Sequence, residues 1–339
     1  MLMLIALLSA LTAPSPGELK SYGDWTIGCD NGRACRAVSL MEMETSENQL
    51  TLQIFRGPLA ADLAQIRIAN IEKREPGQTV RIVLDGQTTV ATIKFPANGE
   101  ALALPLDQKL ADKFRSGRRL ELRDAGDVLL GNTSLNGFAE ALGEMDARQS
   151  RSNTVTALAQ IGPLPAANIP APPVLPVVLP KKPPRENSLK LTPDETKRLL
   201  SMGACDVGDE TPIATDAVRL DGKTWLGLIP CAMGSYNILT APVLISGQGK
   251  ARKAKRAEFD FLPSASTSVA SPLLANASWD PMTGELTSYA KGRGLGDCGT
   301  TETYVWDGRR FRLITQFAMG ECRGVLDWIP TWRAKVRRR

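Results

Sequence analysis

Apolar and polar residues alternate with a period of two along most of this chain, which is typical of β-strands that bury one face. In Gln49–Arg56 the alternation places Leu50, Leu52 and Ile54 on the same face. Comparable short runs follow on both sides of a proline-rich segment, separated by turn dipeptides such as Asp-Gly and Pro-Gly. We therefore predict a mainly β chain with antiparallel sandwich or barrel-like domains and a few short helices.

Three segments follow a helical period instead. Leu106–Arg115 can form a short helix, and Leu135–Gln149 carries an apolar stripe with Ser134 as its expected N-cap. A third helix is predicted to begin after Thr192, where a proline occupies the first helical position, and to end near Met202.

The stretch of residues 291–324 predicts a β-hairpin. Two strand-like runs, Thr303–Trp306 and Phe311–Phe317, flank an Asp-Gly pair, which is a strong hairpin signal. Cys298 and Cys322 lie on the outer sides of these runs. A disulfide between them would close the hairpin.

The proline-rich segment Pro163–Pro184 contains nine prolines in 22 residues. Such a segment is extended and cannot form a core, so we place the domain boundary there. The predicted division is a signal peptide at 1–17, an N-terminal β-sandwich domain at 18–152, a linker at 153–190 and a C-terminal disulfide-stapled β domain at 191–335.

The chain has 339 residues with six cysteines and no histidine. The absence of histidine excludes Ser-His-Asp and Cys-His catalysis and histidine-based zinc sites. Six cysteines allow many pairings, and close spacing favours local ones. The favoured pairs are Cys29 with Cys35, Cys205 with Cys231, and Cys298 with Cys322.

The Asn-Gly pair between the first two cysteines adds a condition on their geometry. A two-residue Asn-Gly loop would place Cys29 opposite Ala34, so a facing Cys29–Cys35 pair requires a longer connection. The chain also has no C-x-x-C motif, which argues against a thioredoxin-like redox role.

The uncharged apolar run Met1–Ala13 has the length of a signal-peptide core and is too short to span a bilayer. It lacks the usual positive residues at its start, so a short membrane anchor is the alternative. Disulfides form in oxidising compartments, and an even cysteine count fits them. We therefore expect a periplasmic or secreted protein with no transmembrane span.

The net charge of +5 comes from two local clusters, at 250–256 and 333–339, with five basic residues each. Without them, 31 basic residues remain against 36 acidic ones, a net charge of −5. This distribution is not that of a nucleic-acid-binding surface, and we expect no nucleic-acid partner. The clusters predict at most a weak electrostatic contact with an anionic envelope surface.

The segment Gly292–Gly299 contains four glycines in eight residues and is the candidate ligand site. A glycine-rich turn can present backbone N–H groups to an anion, and Arg293 can add a bidentate contact. We name Arg293, Asp297, Tyr289 and Trp306 as candidate ligand-binding residues. The alternative is that these glycines only allow close backbone approach around a disulfide.

Other catalytic patterns are weak. Ser288 and Lys291 fit an S-x-x-K motif, but they lie on a predicted strand and not at a helix start. Asp297, Glu302 and Asp307 are candidates for a glycosidase carboxylate pair by nearness alone. Without histidine or an EF-hand loop, we predict no metal, no cofactor and no catalytic residue.

Two motifs carry a resemblance to a known family. The run GDWTIGCDNGRACRA at Gly23–Ala37, together with WDxxTGxLxSYAKGRGLGDCG at Trp279–Gly299, resembles an uncharacterised family of exported bacterial proteins known only as a domain of unknown function. The first half, with Trp25, Cys29 and the run Ser134–Phe138, is similar to invasion-associated locus B proteins. Those are small exported β-sandwich proteins without established catalysis, so the resemblance implies export and disulfides but no mechanism.

Three functions remain open on these observations. The first is a non-catalytic envelope module that binds a protein or a glycan. The second is an inhibitor of a host or competitor hydrolase that uses the glycine-rich loop 292–299, and the third is a carboxylate-based cell-wall hydrolase. A flat aromatic face would favour the binder, a protruding rigid loop the inhibitor, and an acid pair in a deep cleft the hydrolase.

Overall fold

The computed structural model describes residues 15–42, 48–71, 75–96, 101–184, 188–203, 205 and 216–338. Residues 1–14 of the predicted signal peptide lie outside these ranges. Within them the chain is mainly β, as predicted, and its sheets are antiparallel except for one two-stranded pair. None of these sheets closes on itself, so the sandwich arrangement holds.

Over its described residues, the N-terminal half consists of two sheets and two α-helices. One sheet has six strands in the order β1-β2-β3-β4-β5-β8, and the other has four in the order β10-β9-β6-β7. The elements are β1 (Leu19–Tyr22), β2 (Trp25–Cys29), β3 (Cys35–Ser39), β4 (Thr51–Arg56), β5 (Ala64–Ala69), β6 (Thr79–Leu84), β7 (Thr88–Lys94), β8 (Leu102–Leu106), α1 (Gln108–Ser116), β9 (Arg119–Asp124), β10 (Leu129–Ser134) and α2 (Phe138–Arg148).

The core of this half lies between the two sheets and the helices. The predicted face of Leu50, Leu52 and Ile54 is fully buried in it. Trp25 packs edge-on against Phe138 of α2 with ring centroids 5.1 Å apart. The aromatic pair therefore joins the first sheet to the helix.

The start of α2 differs from the prediction. Ser134 does not cap the helix, because β10 continues through it in register with β9. The chain then turns sharply, and the N-cap is Gly137 with φ +93° and no side-chain cap hydrogen bond. Only glycine adopts this conformation without strain, and a Cβ there would collide with the carbonyl oxygen of Tyr22.

The first disulfide closes the connection between β2 and β3. Cys29 and Cys35 face each other in the antiparallel register, so the loop between them has the five residues 30–34. The Asp30 side chain accepts hydrogen bonds from the backbone N–H groups of Gly32 (2.8 Å) and Ala34 (3.1 Å). The connection is thus longer than a two-residue turn, as a facing pair requires.

Where the structure describes it, the C-terminal half has two larger sheets, a two-stranded pair and one α-helix. One sheet has the strand order β12-β13-β14-β15-β16, and β17 pairs with the first residues of β15. The other sheet has the order β18-β19-β20-β21-β22. In addition, β11 pairs with β23 in parallel. The elements are β11 (Val177–Val178), β12 (Ser188–Lys190), α3 (Pro193–Gly203), β13 (Asp216–Arg219), β14 (Thr224–Met233), β15 (Ile238–Ser246), β16 (Lys253–Arg256), β17 (Leu274–Ala275), β18 (Ser278–Asp280), β19 (Glu285–Lys291), β20 (Gly299–Trp306), β21 (Phe311–Met319), β22 (Ile329–Arg333) and β23 (Lys335–Val336).

The sheet containing β15 is buried on both faces. Leu244 faces the other sheet and joins a core with Trp306 and Phe311. Its neighbours Val243 and Ile245 point to the opposite face, which α3 covers. Helix α3 begins as predicted, since Thr192 and Glu195 form a capping box in which the Thr192 N–H donates to Oε2 at 2.9 Å.

The predicted hairpin is present as β20 and β21, and its connection is longer than the Asp-Gly pair suggests. Four residues, 307–310, join the strands. The Asp307 carboxylate accepts hydrogen bonds from the backbone N–H groups of Arg309 (2.8 Å) and Arg310 (2.9 Å). The side chain therefore stabilises a wider turn.

The two halves pack against each other through the strand β22. Val38 and Leu40 of the N-terminal half join a buried apolar cluster with Met319 and Ile329. Hydrogen bonds flank this cluster: the Gly17 N–H donates to Thr331 O at 2.8 Å, and the Arg323 guanidinium pairs with Asp24 at 2.8 Å.

The proline-rich segment lies against both halves. Arg33 donates to the carbonyl of Pro170 at 3.1 Å, while the Lys181 N–H donates to the carbonyl of Trp306 at 2.8 Å. The division of the chain at 153–190 stays a prediction. Among the helices in the described ranges, none has the length and apolar character needed to cross a membrane.

Candidate functional site

The glycine-rich loop 292–298 connects β19 to β20 and is fixed at several points. The Cys298–Cys322 disulfide joins it to the loop that follows β21. Gly292 N–H donates to Cys298 O at 2.8 Å, and Gly296 N–H donates to Arg293 O at 3.0 Å. The two loops therefore form one cross-linked unit at the end of this sheet.

Arg293 and Asp297 form a bidentate ion pair inside the loop. The Arg293 Nε and Nη2 donate to the two carboxylate oxygens of Asp297 at 2.7 and 2.5 Å. The carboxylate is only 2 % exposed and also accepts from Gly324 N–H at 2.7 Å. The Arg293 contact, with the Gly324 N–H, lowers the pKa of Asp297 to about 2. Both predicted ligand-binding residues are thus engaged with each other.

Tyr289 lies beside this pair on β19. Its hydroxyl donates to the carbonyl of Gly296 at 2.7 Å, and its ring contacts Trp328 edge-on with centroids 5.5 Å apart. The Lys291 ammonium lies 5.3 Å from the Tyr289 ring centroid. Tyr289 therefore forms a fixed aromatic wall next to the loop.

That wall belongs to a groove of about 470 Å³ between the two halves of the molecule. Arg36 donates from Nη1 to the carbonyl of Trp328 at 3.0 Å. The Nε atom of Arg36 is buried and has no hydrogen-bond partner in the described part of the chain. Burial lowers the pKa of the Arg36 guanidinium. Asp327 pairs with Arg67 at 3.1 Å. The groove is lined by Arg36, Tyr289, Gly296, Thr301, Phe317, Leu326, Asp327 and Trp328.

Apolar side chains are exposed on the cross-linked loops and on β21: Phe317 and Leu326 line this groove, and Leu295 directly precedes Gly296, which also lines it. Leu295 at the tip of the glycine-rich loop is 77 % exposed, Leu326 is 76 % exposed and Phe317 is 38 % exposed. We call Leu295, Phe317 and Leu326 the loop surface. Large exposed apolar groups held next to a groove are typical of interaction sites.

Trp306 does not join the other three predicted ligand-binding residues. Its indole N–H donates to the Asp221 carboxylate at 2.7 Å, and its ring packs against Phe311 in the core between the two C-terminal sheets. It lines a different groove, with Lys253 and Arg309. The candidate residues therefore divide between two places in the molecule.

The three acids of the hydrolase hypothesis each have a local structural role. Asp297 pairs with Arg293, and Asp307 holds the hairpin turn. Glu302 is 2 % exposed and accepts from Ser264 N–H at 3.0 Å, and burial raises its pKa. These contacts do not form an acid pair facing a cleft.

The S-x-x-K serine also has a structural role. Ser288 lies on β19, is buried, and accepts a hydrogen bond from the Ala275 N–H at 3.1 Å. Within the described ranges no group of three or more histidine, cysteine or acidic side chains is placed to hold a metal ion.

Several residues of the two basic clusters are engaged with the rest of the protein. Arg252 pairs with Glu195 at 2.9 Å, and Arg256 donates from Nε to the carbonyl of Met202 at 2.8 Å. In the C-terminal cluster, Arg333 pairs with Asp30, and Arg338 pairs with Glu285 at 2.5 Å. Only part of each cluster is available for another molecule.

Sequence reasoning missed Arg36, Phe317, Leu326 and Trp328. Phe317 ends the second strand of the predicted hairpin and Trp328 follows it by 11 positions, so their nearness to that hairpin was the available signal. Arg36 had no such signal, because it reaches the groove only through the packing of the two halves.

Comparisons with known proteins find similarity to a family model, to a bacterial relative and to a solved structure. A family model described as "Protein of unknown function (DUF1176)" matches residues 19–335. The chain is 27% identical over 353 residues to the "Uncharacterized protein YpfG" of Escherichia coli (strain K12), covering 98% of this chain and 97% of that protein. A solved structure of invasion associated protein B from Bartonella henselae is similar, with a TM-score of 0.32 and 19% identity, and covers 39% of this chain and 99% of that one.

Proposed function

We propose that this chain, which belongs to the DUF1176 family of proteins of unknown function, is a non-catalytic envelope protein that binds a segment of another protein at its loop surface. Family membership confirms the resemblance carried by Gly23–Ala37 and Trp279–Gly299. The activity itself is inferred from the geometry of this chain.

The observation that carries the proposal is the pair of exposed leucines on cross-linked loops. Leu295 and Leu326 are each more than three-quarters exposed. The Cys298–Cys322 disulfide and the Asp297 contacts to Arg293 and Gly324 fix the loops that present them. Because little freedom is lost on binding, such a surface gains affinity from its apolar contacts.

A protein segment suits this surface better than a glycan. Leucine side chains offer no flat face for a sugar ring and no hydrogen bonds. The Tyr289 hydroxyl is already bonded to Gly296 O, and the Trp328 ring is 8 % exposed. An apolar side chain of a partner could instead enter the groove between Tyr289 and Phe317, with polar backbone groups facing Arg36.

The compartment is part of the same proposal. The cysteines are paired in three disulfides, as their spacing favoured, and none of the six is free. Disulfides of this kind persist in oxidising compartments. We therefore place the protein in the periplasm or outside the cell, and its partner with it.

The test is photo-crosslinking in intact cells with a crosslinking amino acid at Thr301, which lines the groove. We expect a single protein partner, and we expect Leu295→Asp with Leu326→Asp to reduce its capture at least about tenfold. The matched control is Val269→Asp with Met282→Asp, since these side chains are 82 % and 90 % exposed elsewhere. Equal loss in both double variants would contradict the proposal, as would binding to purified cell-wall glycan that depends on the two leucines.

A hydrolase inhibitor is the second candidate, and the shape of the glycine-rich loop favours it. Loop 292–298 is closed at its base by the backbone pair of Lys291 and Gly299 and carries Leu295 near its tip. A rigid loop of this kind can enter an active site without being ordered first. The captured partner distinguishes the two candidate functions. If the partner is a hydrolase whose activity is inhibited by the wild-type chain and not by the Leu295→Asp variant, the protein is a hydrolase inhibitor.

A further inference from the structure

A second groove, of about 510 Å³, lies between the two C-terminal sheets and is separate from the loop surface. One wall is formed by β14, β15 and β16, and the other by the end of β20 and the turn that follows it. We call it the basic groove; its polar and aromatic lining residues are Thr224, Ser246, Lys253, Lys255, Trp306 and Arg309.

The strand register explains how the polar groups come together. Thr224 pairs with Ser246 across β14 and β15, and Ser246 pairs with Lys253 across β15 and β16. Directly opposed residues project to the same face of a sheet. Two hydroxyls and an ammonium therefore form one row, and Lys255 lies in the next row beside Leu244.

Two of the three cations of this groove have no ion-pair partner in the described part of the chain. Lys253 and Arg309 make no ion pair and no side-chain hydrogen bond within the described part of the chain, and Arg309 has a longer-range electrostatic interaction with the Glu258 carboxylate. Lys255 pairs with Glu258 at 2.9 Å. By contrast, Arg252 on the same stretch is paired with Glu195. Positive charge is thus left facing the cavity.

The floor of the groove is rigid and apolar. Trp306 is 3 % exposed, and its ring is held by the hydrogen bond to Asp221 and by packing on Phe311 at 5.3 Å. Cations beside a low-dielectric wall attract an anion more strongly than cations on an open surface. The Arg309 guanidinium can also bind two oxygens of one phosphate group.

We propose that the basic groove binds a phosphate group, with Lys253 and Arg309 as the charged contacts and Ser246 as a hydroxyl donor. Lys253 and Arg309 provide two positive charges without an ion pair, so the groove accommodates a ligand with more than one negative charge. The phosphate can belong to a soluble phosphate ester or to a phospholipid headgroup.

The test uses the full disulfide-bonded chain and two probes: pyrophosphate, followed by calorimetry, and vesicles of phosphatidylglycerol or phosphatidylcholine, followed by sedimentation. Lys253→Gln with Arg309→Gln removes the charged contacts. The matched control is Lys94→Gln with Arg118→Gln, two exposed cations of the N-terminal half with the same change in net charge. Ser246→Phe fills the groove and leaves every charge in place.

A site for soluble phosphate esters predicts that pyrophosphate binds the wild type. Its binding should weaken at least about tenfold in the Lys253/Arg309 variant and in Ser246→Phe, and less than about twofold in the control. Binding of phosphatidylglycerol vesicles alone, with the same dependence on the variants, supports a headgroup site. Equal losses in both charge variants, unchanged binding in Ser246→Phe, or binding of neither probe would overturn the proposal.

Discussion

Asp297 and Glu302 are five positions apart, yet their surroundings shift their pKa values in opposite directions. Asp297 accepts hydrogen bonds from a guanidinium and a backbone N–H, which favour the ionised carboxylate. Glu302 is buried with Ser264 and Gln316 as donors, and no cation pairs with it in the described ranges. Each acid therefore gives a separate pH dependence to the stability of the C-terminal half.

The first prediction concerns Asp297→Asn. The pKa of Asp297 is lowered from 3.8 to about 2, so its contribution is fully present above pH 3.8 and is lost as the pH falls through the folded value. The wild type should exceed the variant by about 2 kcal/mol in free energy of unfolding at pH 6. Urea unfolding at pH 6 and at pH 2 would measure this, and an unchanged difference between the two pH values would contradict it.

Glu302→Gln should show the opposite dependence. Burial raises the pKa of Glu302 above 4.5, so the folded state prefers the protonated acid and loses stability as the pH rises through that raised pKa. The glutamine variant stays neutral, and we expect its stability relative to the wild type to rise between pH 4 and pH 8. Glu302→Ala is the control, because it also removes the hydrogen bonds to Ser264. A glutamine variant whose free energy of unfolding, relative to the wild type, falls as the pH rises would contradict this prediction.

The residues that suggested a resemblance to invasion-associated locus B proteins have structural roles in this chain. Trp25 donates its indole N–H to the carbonyl of Ser134 at 3.1 Å and packs on Phe138, while Gly137 makes the turn between them. The residues that carried the resemblance therefore form one contact set. Their conformational and packing roles explain why they indicated a fold and no mechanism.

At the scale of elements, local signals were the reliable ones. The hairpin β20–β21, the cap of α3 and the local cysteine pairs all depend on residues close in the chain. Ser134 failed as a helix cap because the partner strand β9 extends β10 through it, which is a tertiary effect. Side-chain hydrogen bonding by Asp307 likewise widened a turn that its sequence indicated as short.

The disulfide that closes this hairpin should contribute strongly to stability. Cys298 and Cys322 are 24 positions apart, so the chain-entropy model gives about 3.5 kcal/mol for the loop they close. We expect Cys298→Ala with Cys322→Ala to lower the free energy of unfolding by that amount and to abolish partner capture at the loop surface. Urea unfolding of the oxidised proteins measures the first effect.

Cys29→Ala with Cys35→Ala is the matched control for this loss. These cysteines are six positions apart, and the same model gives about 2 kcal/mol. Partner capture should persist in this control because the loop surface lies at the other disulfide. Capture that survives removal of Cys298–Cys322 would show that the cross-link does not organise the surface.

At the scale of the whole molecule, the groove beside the loop surface could not be predicted from the sequence. Arg36 and Trp328 are 292 positions apart, and Gln53 donates to Asp327 across 274 positions. Hydrophobic periodicity specifies which face of a strand is buried but not which distant element covers it. The same gap explains why Trp306 was grouped with Tyr289, although the structure places them at different grooves.

This separation leads to the last prediction, for Leu40→Ala. Leu40 is 2 % exposed and lies in the apolar cluster that joins the two halves, outside the N-terminal core proper. Truncating a buried leucine costs about 2–5 kcal/mol. Because that cost falls on the contact between the halves, we expect one calorimetric transition in the wild type and two in the variant.

The two grooves should respond differently to Leu40→Ala. The groove with Arg36 and Trp328 spans both halves, so partner capture should fall when the halves separate. The basic groove is built by β14–β16 and the turn after β20, all within the C-terminal half, so pyrophosphate binding should persist. Leu63→Ala is the control, since this leucine is 73 % exposed and distant from the cluster. If Leu40→Ala loses both partner capture and pyrophosphate binding and still unfolds in a single transition, the halves form one cooperative unit and the two grooves are not independent.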